Sequence, residues 1–242
     1  MSKHSQDFMP AQAHGAIESL GHDVWWVPGT MRMNRWMGVS RNMVIVRTGD
    51  ELTLLNPIRL DAAGEQQLEK LGRVRHLVRL GCFHGCDDAY LKQRFKAEFW
   101  CQADSRAYPQ PAPDHLLAEG APVPVADGQL LVFKTVKRPE CALLIRRGHG
   151  ILVTCDSLQH YTSWQRHSLI ARLVMPLMGF SRRLLVGPLW LKFQTPEGES
   201  VRPDFEALLK LDFDTLISAH GVPLMQDAKN QARAAVESAF AD

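Results

Sequence analysis

Net charge is nearly absent from this chain. Its 28 Lys+Arg against 26 Asp+Glu leave a formal +2 over 242 residues, too small a surplus to make a nucleic-acid polyanion the expected partner. Cysteine is sparse and odd in number, with five residues at Cys82, Cys86, Cys101, Cys141 and Cys155. A chain of this length needs no disulfide staples, so free thiols in a reducing, cytoplasmic compartment are expected. No apolar run reaches the roughly 20 residues of a spanning helix. The richest stretch, Leu169 to Phe180, is interrupted by Arg172, Pro176 and Gly179. Met1 to Gly15 has no apolar leader core, so neither a secretory signal nor a membrane partner is expected. There is no solenoid-length repeat and no Gly/Ser linker, so a single domain over residues 1–242 is expected. The 45% hydrophobic and 22% charged residues fit a folded globular chain and exclude disordered and collagen-like classes.

Strand-type and helix-type runs alternate along the chain. Asp23 to Val27, stopped by Pro28-Gly29, predicts a first strand, and Met43 to Arg47 with Leu52 to Leu55 predicts a hairpin around Thr48 to Glu51. Leu68 and Leu71, spaced among Glu65, Gln66 and Lys70, predict a short amphipathic helix capped by Asp61 and ended by Gly72. A buried strand follows at His76 to Leu80. Further strands are predicted at Gln129 to Phe133, Cys141 to Ile145, Gly150 to Thr154 and Asp214 to Ile217, with helices at Asp204 to Lys210 and Asp227 to Phe240. Residues 161–199, rich in Leu, Met, Trp and Arg, break this rhythm as a helical excursion. Leu169, Ile170, Leu173, Val174, Leu177 and Met178 recur there at helical spacing, which suits covering a cleft or a second protomer, with a homodimer the expected outcome.

Ligand-type side chains concentrate between the His76 to Leu80 strand and a helical run from Ala89. There Gly81-Cys-Phe-His-Gly-Cys-Asp-Asp88 places Cys82, His84, Cys86 and Asp87 at a strand end, where α/β folds present chemistry. Asp156 closes a later strand, and His220 stands in an Ala-His-Gly turn. Each has an ordinary reading as well: Asp87 or Asp88 can be a helix cap, and Cys101, Cys141 and Cys155 suit small buried hydrophobes. His160 and Tyr161 follow Asp156 closely enough to line a cleft. His149 suits a hairpin tip and carries no role.

The order of these features, with Asn42 before the first hairpin strand, resembles the metallo-β-lactamase superfamily from about Trp25 to the C-terminus. That resemblance implies an α/β (α+β) fold, a four-layer αββα sandwich with a metal site at one edge between two sheets, and metal-assisted hydrolysis. The family loop Thr-His-x-His-x-Asp-His superposes on residues 81–88, setting Cys82 on the first His, His84 on the second, Cys86 on the Asp and Asp87 on the second metal's His. Asp156 then matches the bridging Asp and His220 the final His. The remaining family His has no counterpart in Thr135 to Cys141, where Lys137 or Arg138 takes its place.

The implied metal ligands are therefore Cys82, His84, Cys86, Asp87, Asp156 and His220, with Asp87 and Lys137 as catalytic candidates. An ammonium at Lys137 would pair with Asp156 in place of a second metal, so at most one ion per chain is expected, zinc or iron, or none. Two functions stay open: a divergent metal-dependent hydrolase acting on a small molecule, and a non-catalytic or regulatory descendant of the fold. A thiol or redox role for Cys82 and Cys86 is a weaker third, since C-x-H-x-C is not the usual dithiol spacing.

Overall fold

The computed structural model describes residues 8–104, 106–108 and 110–241. A first sheet runs in chain order through β1 (Glu18–Gly21), β2 (Val24–Arg32), β3 (Gly38–Thr48), β4 (Glu51–Leu55), β5 (Arg73–Val78), β6 (Glu98–Cys101) and β7 (His115–Leu116). The first four strands are antiparallel. The step from β4 to β5 is a parallel crossover through helix α1 (Ala62–Leu71), and that from β5 to β6 a second one through α2 (Asp88–Phe95). A second sheet holds β8 (Gly128–Val132), β9 (Cys141–Ile145) and β10 (Ile151–Thr154). Then come β11 (Leu158–His160), helix α3 (Leu169–Leu177), β12 (Leu184–Val186), helices α4 (Pro188–Gln194) and α5 (Arg202–Leu208), strand β13 (Thr215–Ser218) and helix α6 (Ala228–Ala239). β13 joins the second sheet parallel to β10, while β11 and β12 pair as a separate ribbon.

The period-2 alternation of the strands builds the layers. Along β3, Val44 and Val46 point into a core shared with Leu143, Val153 and Ile217 of the second sheet. Met43 and Ile45 point the other way, onto Leu68 of α1 and Leu91 of α2. The second sheet divides likewise, with Ala142, Leu144, Leu152 and Leu216 packing outward against Trp190 of α4, Phe205 of α5 and Val236 of α6. Helix, sheet, sheet, helix is the αββα order.

Local signals located α1 closely: the Asp61 carboxylate accepts the Gly64 N–H at 2.8 Å and Gly72 ends the helix. The first strand outruns its expected stop. β2 continues through Pro28 and Gly29 to Arg32 alongside β3, and on its other side, beyond the end of β1, only residues 14–15 reach it, with Gly15 N–H donating to the Pro28 carbonyl, so the N–H that Pro28 lacks falls on the edge of the ladder. In the excursion, α3 and α4 form as helices, but β12 lies between them. A three-residue strand offers no period to read, and the same brevity hid β7 and β11; β1 and β6, four residues each and without a continuous apolar run, were not read either.

Candidate metal centre

Three loops converge on one edge between the sheets: residues 81–87 after β5, 155–157 after β10 and 219–221 after β13. Because β10 and β13 are parallel, their C-terminal ends open on the same side. Two buried asparagines hold the loops together. Asn42 Nδ2 donates to the carbonyls of Ser218 and Gly221, and Asn56 Nδ2 donates to Thr154 while its Oδ1 accepts from Leu80 N–H. Gly221 adopts φ +80°, and a Cβ there would stand 1.8 Å from the His160 carbonyl oxygen, so only glycine lets the turn pass this close.

These loops bring His84, Asp156 and His220 together, all buried, with ligand atoms within 4.8 Å of one another. His84 Nε2 lies 3.1 Å from His220 Nε2 and 3.2 Å from Asp156 Oδ2, and His220 Nε2 lies 2.9 Å from Asp156 Oδ1. His220 Nδ1 is 2.5 Å from the Ser40 carbonyl oxygen, which can only accept, so Nδ1 carries the hydrogen. In a neutral imidazole the Nε2 lone pair then faces both a carboxylate and a second imidazole nitrogen. A proton on one of the facing nitrogens or a bound metal ion resolves that arrangement. The three separations resemble the edges of a coordination polyhedron, since ligands about 2.0–2.1 Å from a tetrahedral zinc lie roughly 3.3 Å apart. Two His and one carboxylate suit zinc or ferrous iron and leave coordination positions open.

Burial pushes the Asp156 carboxyl up, but His84 and His220 together outweigh burial and hold it well below the usual carboxylate range. Burial pushes His84 down, against the pull of Asp156. Beneath the carboxylate lies Glu140, wholly buried, whose Oε1 accepts the backbone N–H of Asp156 at 3.1 Å and of Ser157 at 3.2 Å. Burial first, and the Asp156 charge second, raise its carboxyl well above the ordinary value.

A cavity of about 280 Å³ opens over the cluster. Its wall includes Met31, Met33 and Met37 from the β2–β3 hairpin and Met175, Met178 and Phe180 from α3 and its exit. His84, Asp156, Gln159, Tyr161 and His220 bring its polar atoms, and among the described residues no Lys or Arg lines it.

No protein-family model matches the sequence, and no curated protein matches it. Solved structures do match. The metallo-β-lactamase FIM-1 from Pseudomonas aeruginosa, in its mono-zinc form, aligns over 96% of this chain and 99% of its own at TM-score 0.62 and 15% identity. The DIM-1 metallo-β-lactamase aligns over 96% and 100% at TM-score 0.63 and 10% identity. The chain has the metallo-β-lactamase fold. A flavo di-iron protein from Thermotoga maritima is similar as well, at TM-score 0.65 and 12% identity, over 96% of this chain and 64% of that one.

On this metallo-β-lactamase frame the other sequence candidates lie outside the His84, Asp156, His220 group. Asp87 turns to Arg41, a buried guanidinium whose Nη1 donates to Asp87 Oδ2 at 2.8 Å and to Cys86 Sγ at 2.7 Å, and Asp87 Oδ2 also accepts from Arg59 N–H. Burial opposes the charge on Arg41, but Asp87, Cys86 and Asp88 together outweigh it and keep the guanidinium protonated. The Asp88 carboxylate is bound by Arg79. Neither carboxylate caps α2, because a full positive charge outcompetes the partial charge of the helix end. Cys82 receives a long hydrogen bond from Gln194 Nε2, and burial pushes its thiol up to about 12. Lys137 is exposed, with its backbone N–H on the Gln194 carbonyl, so the expected pairing of its ammonium with Asp156 is not formed; the ion pairs of Asp156 among the described residues are with His84 and His220. Arg138 is exposed too, over the Phe83 ring at 5.9 Å. Sequence reasoning passed over Arg41 and Glu140. The only signal was a charge set in each of two strongly apolar strand regions.

Proposed function

We propose that this chain is a metal-dependent hydrolase with one metal per chain, zinc or iron, held by His84, Asp156 and His220. The observation that carries this reading is the pair of Nε2 atoms facing one carboxylate at the floor of a cavity, with the His220 tautomer fixed by Ser40. Arg41 supports a count of one: a permanent cation already engages Cys86 and Asp87, the residues the family pattern assigns to a second ion. When bound, the metal supplies a Lewis acid and lowers the pKa of water.

The chain's own groups supply binding and orientation. Gln159 Nε2 donates to the Asp156 carbonyl at 3.0 Å and its Oε1 accepts from Tyr161 Oη at 2.7 Å, so two polar residues of the cavity wall are locked to the loop that carries the carboxylate. With methionine and aromatic walls and no lining cation among the described residues, the cavity suits a neutral, largely apolar substrate better than a carboxylate or phosphate. Asp87, locked on Arg41, is not offered as the proton carrier. The five free cysteines support a reducing, cytoplasmic setting.

Elemental analysis of dialysed protein tests the centre. One zinc or iron per chain is expected, falling to none in Asp156→Ala and unchanged in Lys137→His, since position 137 is exposed and forms no ion pair with Asp156. Two metals per chain would overturn the single-site reading, and none after reconstitution would leave the non-catalytic descendant in its place.

A further inference from the structure

Apolar side chains are exposed in an unusual concentration around the mouth of this cavity. Of eleven large hydrophobic residues exposed among the described residues, eight belong to the β2–β3 hairpin tip, the loop at Phe83, α3 and α4. Helix α3 is apolar on both faces. Ala171 and Met175 pack inward, while Leu169, Leu173 and Leu177 form an outward row 75%, 73% and 87% exposed. Trp36, 63% exposed at the hairpin tip, is tied to this helix through its carbonyl, which accepts from Ser168 Oγ at the α3 N-cap. Solvated surface helices normally turn a polar stripe outward.

Charge on the same region is predominantly positive. The excursion over residues 161–199 contains five cations, Arg166, Arg172, Arg182, Arg183 and Lys192, against two carboxylates at its far end, Glu197 and Glu199; the hairpin tip adds Arg32 and Arg35. All seven are exposed, and none forms an ion pair among the described residues. The whole chain carries only +2, so the remainder of the molecule is net negative. A second copy docked here would set these cations against their own equivalents. An anionic lipid surface complements both features, since exposed leucines and an interfacial Trp enter the headgroup region while arginines meet phosphates.

We propose that the outer face of α3 and the tip of the β2–β3 hairpin form a seat for an anionic bilayer surface, holding the mouth of the apolar cavity against the membrane. No helix among the described residues is long and apolar enough to cross a membrane, and none is required. The absence of a spanning run, on which the sequence-based expectation of no membrane partner rested, does not bear on an interfacial face. The seat stands independently of the metal, and it extends the proposed hydrolase to substrates that partition into lipid.

Co-sedimentation of the full chain with phosphatidylcholine vesicles, with and without phosphatidylglycerol, tests it. Binding is expected to the anionic vesicles, weakened by salt. The double variant Leu173→Glu, Leu177→Glu should lose about tenfold or more in partitioning, as apolar contact is replaced by like charge. Because both positions face outward, its far-UV circular dichroism and metal content should match the unmodified chain. Arg35→Glu with Arg182→Glu should remove the preference for phosphatidylglycerol and provides a second route if the leucine variant misfolds. Failure to bind anionic vesicles overturns the proposal. So does a dimer in sedimentation equilibrium that the leucine substitutions dissolve, which would assign the face to a second copy. Neither outcome alters the metal count, so the two readings fail separately.

Discussion

Glu140 shows how one side chain shapes the centre without facing the cavity. Its Oε1 receives two consecutive backbone N–H groups at the end of β10, and those bonds set the direction in which Asp156 leaves the strand. Gly81 makes room for it, since a Cβ there would meet Glu140 Oε2 at 2.3 Å. Glu140→Gln keeps the accepting oxygen and should preserve both fold and metal content. Glu140→Ala leaves two buried donors unpaired and should cost about 2–4 kcal/mol in urea unfolding, with weakened metal retention as the companion readout. His167 makes a separate point. It is buried against Tyr161 and Trp164 with no hydrogen-bond partner for either ring nitrogen, and burial lowers its pKa to about 4. An unfolded histidine titrates near 6.5, so between about 6.5 and about 4 the unfolded chain binds a proton that the folded one refuses. Stability contributed by the neutral ring is complete above that window and falls as pH drops through it. His167→Phe sacrifices no hydrogen bond and should flatten that part of the stability-against-pH curve, measured by denaturant midpoints; an unchanged slope would show that His167 does not carry it.

At the scale of elements, the turn after β13 decides whether the site closes. Gly221 N–H donates to Ser40 Oγ and His220 Nδ1–H to the Ser40 carbonyl, so β3 and the turn hold one imidazole between them. Gly221→Ala would drive a methyl into the His160 carbonyl at a positive φ. Its expected effect is a displaced His220, with metal retention lost at least tenfold while circular dichroism keeps the native strand content. Retention equal to the unmodified chain would show that the turn can shift without opening the centre. Helix α3 lies at the other end of the range. Its spacing was legible as helix, yet spacing cannot tell which apolar row finds a neighbour, and here one row packs on Tyr161 and Phe180 while the other stays outside.

For the whole molecule, the two sheets share one interior built from residues as distant in sequence as Val24 and Ile217. No step of the chain completes that interior until β13 has returned beside β10. We expect limited proteolysis to nick loops without releasing two separately stable halves, since the first sheet alone would expose the face now covered by Leu143, Val153 and Ile217. Two fragments that each unfold cooperatively would refute the single-domain expectation.

The sequence by itself determined the alternating strands, the Asp61 cap, the helical character of α3 and the order in which His84, Asp156 and His220 follow their strands. Period, capping chemistry and turn residues are local properties, and local properties survive without a structure. Which candidates share a site was not local. Asp87 stood among the implied ligands until a guanidinium from β3 reached it, and Lys137 was a plausible counter-charge until the fold left it exposed. Arg41, Asp87 and Glu140 take their roles from partners on other elements, at separations of 46 residues for Arg41 with Asp87 and 16 for Glu140 with Asp156. Strand pairing within each sheet, and the loops that leave the strand ends, set those distances, and the energy of a buried charge depends on what surrounds it in space and hardly at all on its neighbours along the chain.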